Sequence, residues 1–244
     1  MLDVQKELGK AVRHFWNTRA SQKTRQGSGS GIKDAGNRSA VTGGKHADGF
    51  IKLIAAIVRD AGLPDAVIHT AAKTSRTLPG YFRPTKEWDL VVVSGSDLIA
   101  AIEVKSQVGS FGNNFNNRVE EALGNATDLW AAYAKGTFSP SSRPWLGYLF
   151  MLEEKPASLR PTKRINLSPY AVDEAFQTLC YAKRYEEVCQ RLVRERLYDS
   201  ACFFTSNVED GLKGRYSEPN PELGIQNFAI SLSARATAFA RIRR

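Results

Sequence analysis

Cysteine is scarce in this chain: Cys180, Cys189 and Cys202 are the only three in 244 residues, and no two form a CxxC pair. An odd number, set in segments that otherwise read as core, speaks against a disulfide framework or a structural zinc site and for buried thiols. Histidine is equally sparse. His14, His46 and His69 are scattered without ligand spacing, which disfavours a zinc centre or histidine-based hydrolysis. No apolar run approaches the roughly 18 residues that a membrane span requires. The opening MLDVQKELGKAVRHF lacks the apolar stretch and small-residue cleavage site of a secretory signal, so the chain is expected to stay in the cytoplasm, away from membranes. Internal repeats are absent.

What is present in excess is positive charge. Lysine and arginine total 34 against 25 acids, a formal charge of +9, which favours a polyanionic partner without identifying one. With 42 % hydrophobic and 24 % charged residues the composition is that of an ordinary globular protein, and the length suits one unit spanning residues 1–244.

Periodicity supplies the elements. Val4, Leu8, Ala11, Val12 and Phe15 recur at helical spacing, predicting an opening amphipathic helix over 3–16. Residues 18–45 are rich in Gly, Ser, Lys and Arg with almost no large apolar side chain, predicting a flexible basic segment, either a surface loop or an arm that folds on DNA. A helix over 46–61 carries Phe50, Leu53, Ile54 and Ile57 on one face and ends at Gly62-Leu63-Pro64. Strands are predicted at 66–69, 88–93 and 98–104, the last two joined into a hairpin by Ser94-Gly95-Ser96-Asp97. Val119, Leu123, Ala126, Trp130 and Tyr133 mark a helix that packs on a sheet. A strand over 145–152 follows, then a helical region from Ser168-Pro169 to about 198, a strand over 201–204 and a further strand over 228–232. This order implies an α/β fold with a central mixed sheet flanked by helices, its core at about 66–204.

The stretch WDLVVVSGSDLIAAIEVK carries the chemistry. Residues two apart share a strand face, so Glu103 and Lys105 project together, and the hairpin returns them to Asp89. Charged groups beside VVV and LIAAI are costly to bury unless they pair or hold a metal. Two carboxylates with an open side suit Mg²⁺, which takes few protein oxygens and fills its octahedron with water and phosphate. A lysine beside it would meet the negative charge that develops at a phosphate. A structural ion pair at a strand end is the plain alternative.

Asp89, Glu103 and Lys105 resemble the PD-(D/E)XK nuclease motif, with Trp88 where the motif has proline. More specifically, HFWNTRASQ, GNRSAVTGGKHADGF, EWDLVVV and IEVKSQVGSFGNNFNNRVEEA resemble the XhoI-type type II restriction endonucleases, along nearly the whole chain. The resemblance implies a restriction-endonuclease-like core with helical elaborations, Asp89 and Glu103 as Mg²⁺ ligands and Lys105 in catalysis. It also implies a homodimer that cuts double-stranded DNA at CTCGAG after the first C, leaving 5′ overhangs, and a cognate DNA methyltransferase that protects the host.

Gln107, Asn113, Asn114, Asn116 and Asn117 follow the catalytic strand and could read bases or serve as turn and cap residues; Gln107 could instead orient a water. Arg25 and Arg38 are candidate DNA contacts, with Arg76 and Arg83 as further guanine readers that no sequence argument separates. Asp48 and Glu7, on predicted N-terminal helices, are candidates for an extra acid. The competing functions are a non-catalytic DNA-binding protein and a repair or junction nuclease on the same core.

Overall fold

A computed structural model describes residues 2–27 and 45–242. The first helix, α1 (Val4–Gly27), buries Val4, Leu8, Ala11, Val12, Phe15 and Trp16 along one side. It packs on α2 (Asp48–Asp60), whose Phe50, Leu53, Ile54, Ile57 and Val58 form the matching face, and Gly62 at φ +98° turns the chain away as its stop signal predicts. The strands are β1 (Ile68–His69), β2 (Thr77–Pro79), β3 (Thr85–Glu87), β4 (Leu90–Ser94), β5 (Asp97–Gln107), β6 (Trp145–Glu153) and β7 (Ser200–Ser206). Between them lie α3 (Lys73–Arg76), α4 (Phe111–Ala134), α5 (Pro156–Leu159) and α6 (Tyr181–Arg194), and α7 (Val208–Gly211) and α8 (Ile225–Ile242) follow β7.

Five strands make one mixed sheet in the order β1-β4-β5-β6-β7, antiparallel on the β1 side and parallel from β5 to β7. Beside it, β2 and β3 form a small antiparallel ribbon. Alternation along the strands divides the core. Leu90, Val92, Ile102, Val104, Leu149, Met151 and Phe204 meet α1, α2 and α8, while Val91, Ala101, Leu146, Tyr148, Phe150 and Phe203 meet α4 and α6. All nine residues of β6 are buried, as expected of a central strand covered on both faces. The mixed sheet flanked by helices is the α/β fold expected from the sequence, compatible with a restriction-endonuclease-like core. No helix among the described residues is long and apolar enough to cross a membrane.

Three segments differ from their expected state. The expected strand over 228–232 lies inside α8, because the buried stripe is Ile225, Phe228, Ala229, Leu232 and Ala236, at helical spacing. Ser168-Pro169 does not start a helix: residues 166–180 are irregular apart from the turn Glu174–Phe176, Leu167 and Tyr170 are exposed, and the apolar stripe of α6 begins only at Ala182. The basic segment read as loop from residue 18 is helical through Gly27, since α1 outruns its apolar face; residues 28–44 lie outside the described residues.

Candidate active site

The site forms where β5 outlasts β4. Their register closes with Leu90 opposite Ile102, whereas Glu103 to Gln107 continue beside Tyr148 to Leu152 of β6 with no described strand on the other edge. An edge amide there must find an acceptor. The Val104 N–H donates to Asp89 Oδ2 at 2.8 Å, so a carboxylate takes the place of the missing strand. Asp89 therefore lies one residue before β4, slightly outside the strand expected for it, and is held by that amide.

Glu103 and Lys105 share the β5 face that carries Ala101, opposite to Ile102 and Val104. Glu103 is only 2 % exposed, and both of its oxygens are occupied. Oε1 pairs with Lys105 Nζ, and Oε2 accepts from Lys86 Nζ of β3 at 2.9 Å. Three charged groups were expected to converge at this point, and the structure brings them together with a fourth, Lys86, that sequence reasoning missed. Nothing in the spacing of TKEWD marks Lys86; only the pairing of β2 with β3 delivers it.

Burial and the nearby Glu103 push the Asp89 carboxyl up to about 6, against the opposing pull of Lys105, the Val104 amide and Lys86. Burial alone would raise Glu103 too, but Lys105 and Lys86 together outweigh it and hold that carboxyl below its usual value. Burial draws the Lys105 ammonium down, yet Glu103 and Asp89 keep it above its ordinary range. One carboxylate is thus firmly ionised and its neighbour is poised to bind either a proton or a cation.

Two carboxylates are the oxygen donors a hard divalent ion takes; of the two, Asp89 lines the groove, while Glu103 lies behind it with both oxygens held by lysines. Asp89 borders the open groove, and burial and Glu103 disfavour its charge more than Lys105, the Val104 amide and Lys86 favour it, which is the electrostatic situation a divalent cation relieves.

That groove, of about 1000 Å³, is lined by six cationic side chains, Arg19, Lys45, Lys52, Arg76, Lys105 and Arg118, and by three acids, Asp48, Glu87 and Asp89. Its walls come from α1, α2 and the start of α4, which Gly109 (φ +66°) and Ser110 (φ +47°) turn into place after β5. Among the described residues nine buried side-chain polar atoms lack a hydrogen-bond partner, and five of them belong to this lining: Arg19 Nε, His46 Nδ1, Arg76 Nε, Gln107 Oε1 and Arg118 Nε. Buried polar atoms are ordinarily paired with protein or water, so these five are donors and acceptors that the groove offers to water or to a polar ligand.

The remaining candidates separate. Gln107 is buried in the lining and donates Nε2 to the Gly109 carbonyl at 2.5 Å. Asn114 also lines the groove, donating to the Ser110 carbonyl at 3.2 Å. Asn113, Asn116 and Asn117 are exposed on α4 and are not part of that lining. Arg25 falls near the end of α1, and Arg38 lies outside the described residues. Arg76 holds the Trp88 carbonyl and Glu87, and Arg83 is engaged by Asp128 and Asn125, both at 2.8 Å. Asp48 borders the groove, whereas Glu7 pairs with Lys10 at 2.6 Å on α1. Arg19 and Arg118, separated by most of the sheet in sequence, were not singled out from the sequence.

The model of the family described as restriction endonuclease XhoI matches residues 25–218. The chain is 47 % identical to the type II restriction enzyme BstVI of Geobacillus stearothermophilus, over 82 % of this chain and 91 % of that protein. It is 43 % identical to the type II restriction enzyme XhoI of Xanthomonas vasicola, over 75 % of this chain and 72 % of that protein. To AbrI of Azospirillum brasilense, a type II restriction enzyme, it is 46 % identical over 70 % of this chain and 75 % of that protein. No solved structure matches it. The region matched by the family model contains Asp89, Glu103, Lys105 and Arg118, and by these matches the chain belongs to the XhoI family of type II restriction endonucleases.

Proposed function

We propose that this enzyme hydrolyses double-stranded DNA at the palindrome CTCGAG, cutting after the first C to leave 5′ overhangs, with Mg²⁺ held by Asp89 and Glu103 and with Lys105 acting at the scissile phosphate. The observation that carries this reading is the meeting of those three side chains on the open edge of β5, inside a groove rich in unpartnered arginine donors. The palindrome and cut position follow from the family resemblance alone. A palindrome presents the same half-site to each subunit of a symmetric dimer, so the working form is a homodimer, paired functionally with a methyltransferase that modifies the same sequence.

Bound Mg²⁺ would supply Lewis acidity and a lowered pKa for the attacking water. The chain's own residues then do the rest. Asp89 fixes its carboxylate through the Val104 amide, Glu103 supplies a second oxygen donor from a buried strand position, and Lys105 brings an ammonium to the groove edge where the phosphate gathers negative charge. Gln107 and Asn114 are the amide side chains of the groove lining and so the candidates for base contacts, and Asp48 is a further acid of that lining.

Digestion of a plasmid with one CTCGAG site tests the whole reading. A single cut in Mg²⁺ and none in EDTA is expected; discrete cuts elsewhere keep the enzyme class and discard the sequence, and intact plasmid in Mg²⁺ overturns the proposal.

The groove makes a separate prediction. If Arg19 and Arg118 neutralise phosphates, Arg19→Ala and Arg118→Ala should each flatten the dependence of log binding constant on log salt by about one unit, for specific and random duplex alike. Fluorescence anisotropy in EDTA measures this without cleavage. Arg118 also pairs with Glu121 one helical turn away, an exposed contact whose loss costs little. Unchanged slopes would place the DNA path elsewhere.

A further inference from the structure

Glu103 pairs with two lysines, one on each oxygen, and the two are held very differently. Lys105 lines the groove and is 24 % exposed, and the carboxylate is its anchor. Lys86 stays off the groove lining, is 15 % exposed, and is fixed on three sides: Glu103 Oε2 at 2.9 Å, the Glu87 carbonyl at 2.5 Å and the face of the buried Trp88 ring at 4.8 Å. The ribbon that carries it is braced in turn, because Trp88 N–H donates to the Arg76 carbonyl at 3.0 Å while Arg76 donates back to the Trp88 carbonyl and to Glu87.

Taking Glu103 as a metal ligand, we infer that Lys86 is a positioning residue for it. Lys86 pins Oε2 so that Lys105 can leave Oε1 for the DNA phosphate without the buried carboxylate turning. A group with one mobile cation would face a conflict. Releasing Lys105 would leave the carboxylate free to turn away from its ligand position, and retaining it would keep the ammonium from the phosphate. Two cations on separate oxygens resolve that conflict.

The arrangement has a signature that a merely structural lysine would lack. A fixed ammonium beside a metal ligand repels a divalent ion, so its removal should tighten metal binding while it loosens the carboxylate's orientation. In full-length Lys86→Met, calorimetric titration with Mn²⁺ alone is expected to show affinity raised about threefold or more at moderate salt. Single-turnover cleavage at saturating duplex and metal is expected to fall about a hundredfold, as for a misplaced reacting group. Lys86→Arg, which keeps the charge and can reach the same oxygen, should restore the wild-type Mn²⁺ affinity and most of the cleavage. Should the methionine variant not fold, Lys86→Gln gives the same pair of readouts.

Slower cleavage with tighter Mn²⁺ binding supports the role. Weakened Mn²⁺ binding together with slower cleavage, or cleavage within threefold of wild type, overturns it. Glu103→Ala separates the two levels of the argument. If that variant binds Mn²⁺ as the wild type does, the metal-ligand reading falls and takes the Lys86 role with it; if it loses Mn²⁺ binding while Lys86→Met cleaves normally, the Lys86 role alone is overturned.

Discussion

Glu103→Ala is expected to reduce duplex cleavage by about a thousandfold or more while leaving DNA binding intact or tightened. Glu103 is the most deeply placed charge of the site, and its two oxygens are the shared partners of Lys105 and Lys86. Its loss removes one of two oxygen donors, and it also frees two ammonium groups beside a groove that is already cationic. A phosphodiester then meets more positive charge than before, so affinity in EDTA should rise as catalysis is lost. Glu103→Gln is the companion variant, since it keeps the side-chain shape and separates charge from packing. Single-turnover cleavage and anisotropy on the same duplex make the comparison, and cleavage within tenfold of wild type in both variants would sink the assignment.

Asp89→Asn is expected to act in opposite directions on stability and on chemistry. Burial and Glu103 raise the native Asp89 carboxyl to about 6, whereas an unfolded aspartate titrates at about 3.9. The native state thus binds this proton more tightly. The resulting stabilisation is complete below the unfolded value, declines as the pH climbs from about 4 to about 6, and is gone above it. Asparagine carries no charge to lose and can still accept from the Val104 amide. In EDTA the variant should therefore melt higher than the wild type at pH 8 and together with it below about pH 4. Adding Mg²⁺ should raise the wild-type melting temperature and close that gap, since a ligand that binds only the native state stabilises it. Cleavage by the variant should fall about a hundredfold to a thousandfold. Equal melting temperatures at pH 8 without metal would show that Asp89 is not carried at a cost.

The sequence made the hairpin legible because its signals are local. A period of two aligns Glu103 with Lys105, and a four-residue turn returns them to Asp89. The apolar faces of α1, α2 and α4 and the strands β6 and β7 were readable for the same reason. The C-terminal helix was not, because Phe228, Ile230 and Leu232 alternate like a strand; Ile230 proves to be exposed, and the true stripe continues through Ala229 and Ala236. Lys86 was hidden by its setting in a short polar ribbon without periodicity of its own. Arg19 and Arg118 become neighbours of one groove only when α1 and α4 dock, a long-range outcome that no window of residues encodes. Gln107 and Asn114, singled out because they follow Lys105 closely, do line the groove, but the same reasoning admitted Asn113, Asn116 and Asn117, which are exposed on α4 outside that lining.

The parallel pairing of β5 with β6 also governs when the enzyme becomes one. Asp89 meets β5 through a hairpin, a contact that a chain closes early, but Glu103 gains Tyr148 as its strand neighbour only after the whole of α4 has been laid down between them. Pairings across such long intervals are the slow steps of folding. During refolding the two acids should therefore come together well before β6 closes over them, and the capacity to cut DNA should lag behind secondary structure. Contact order, in this fold, works as a timer on the nuclease.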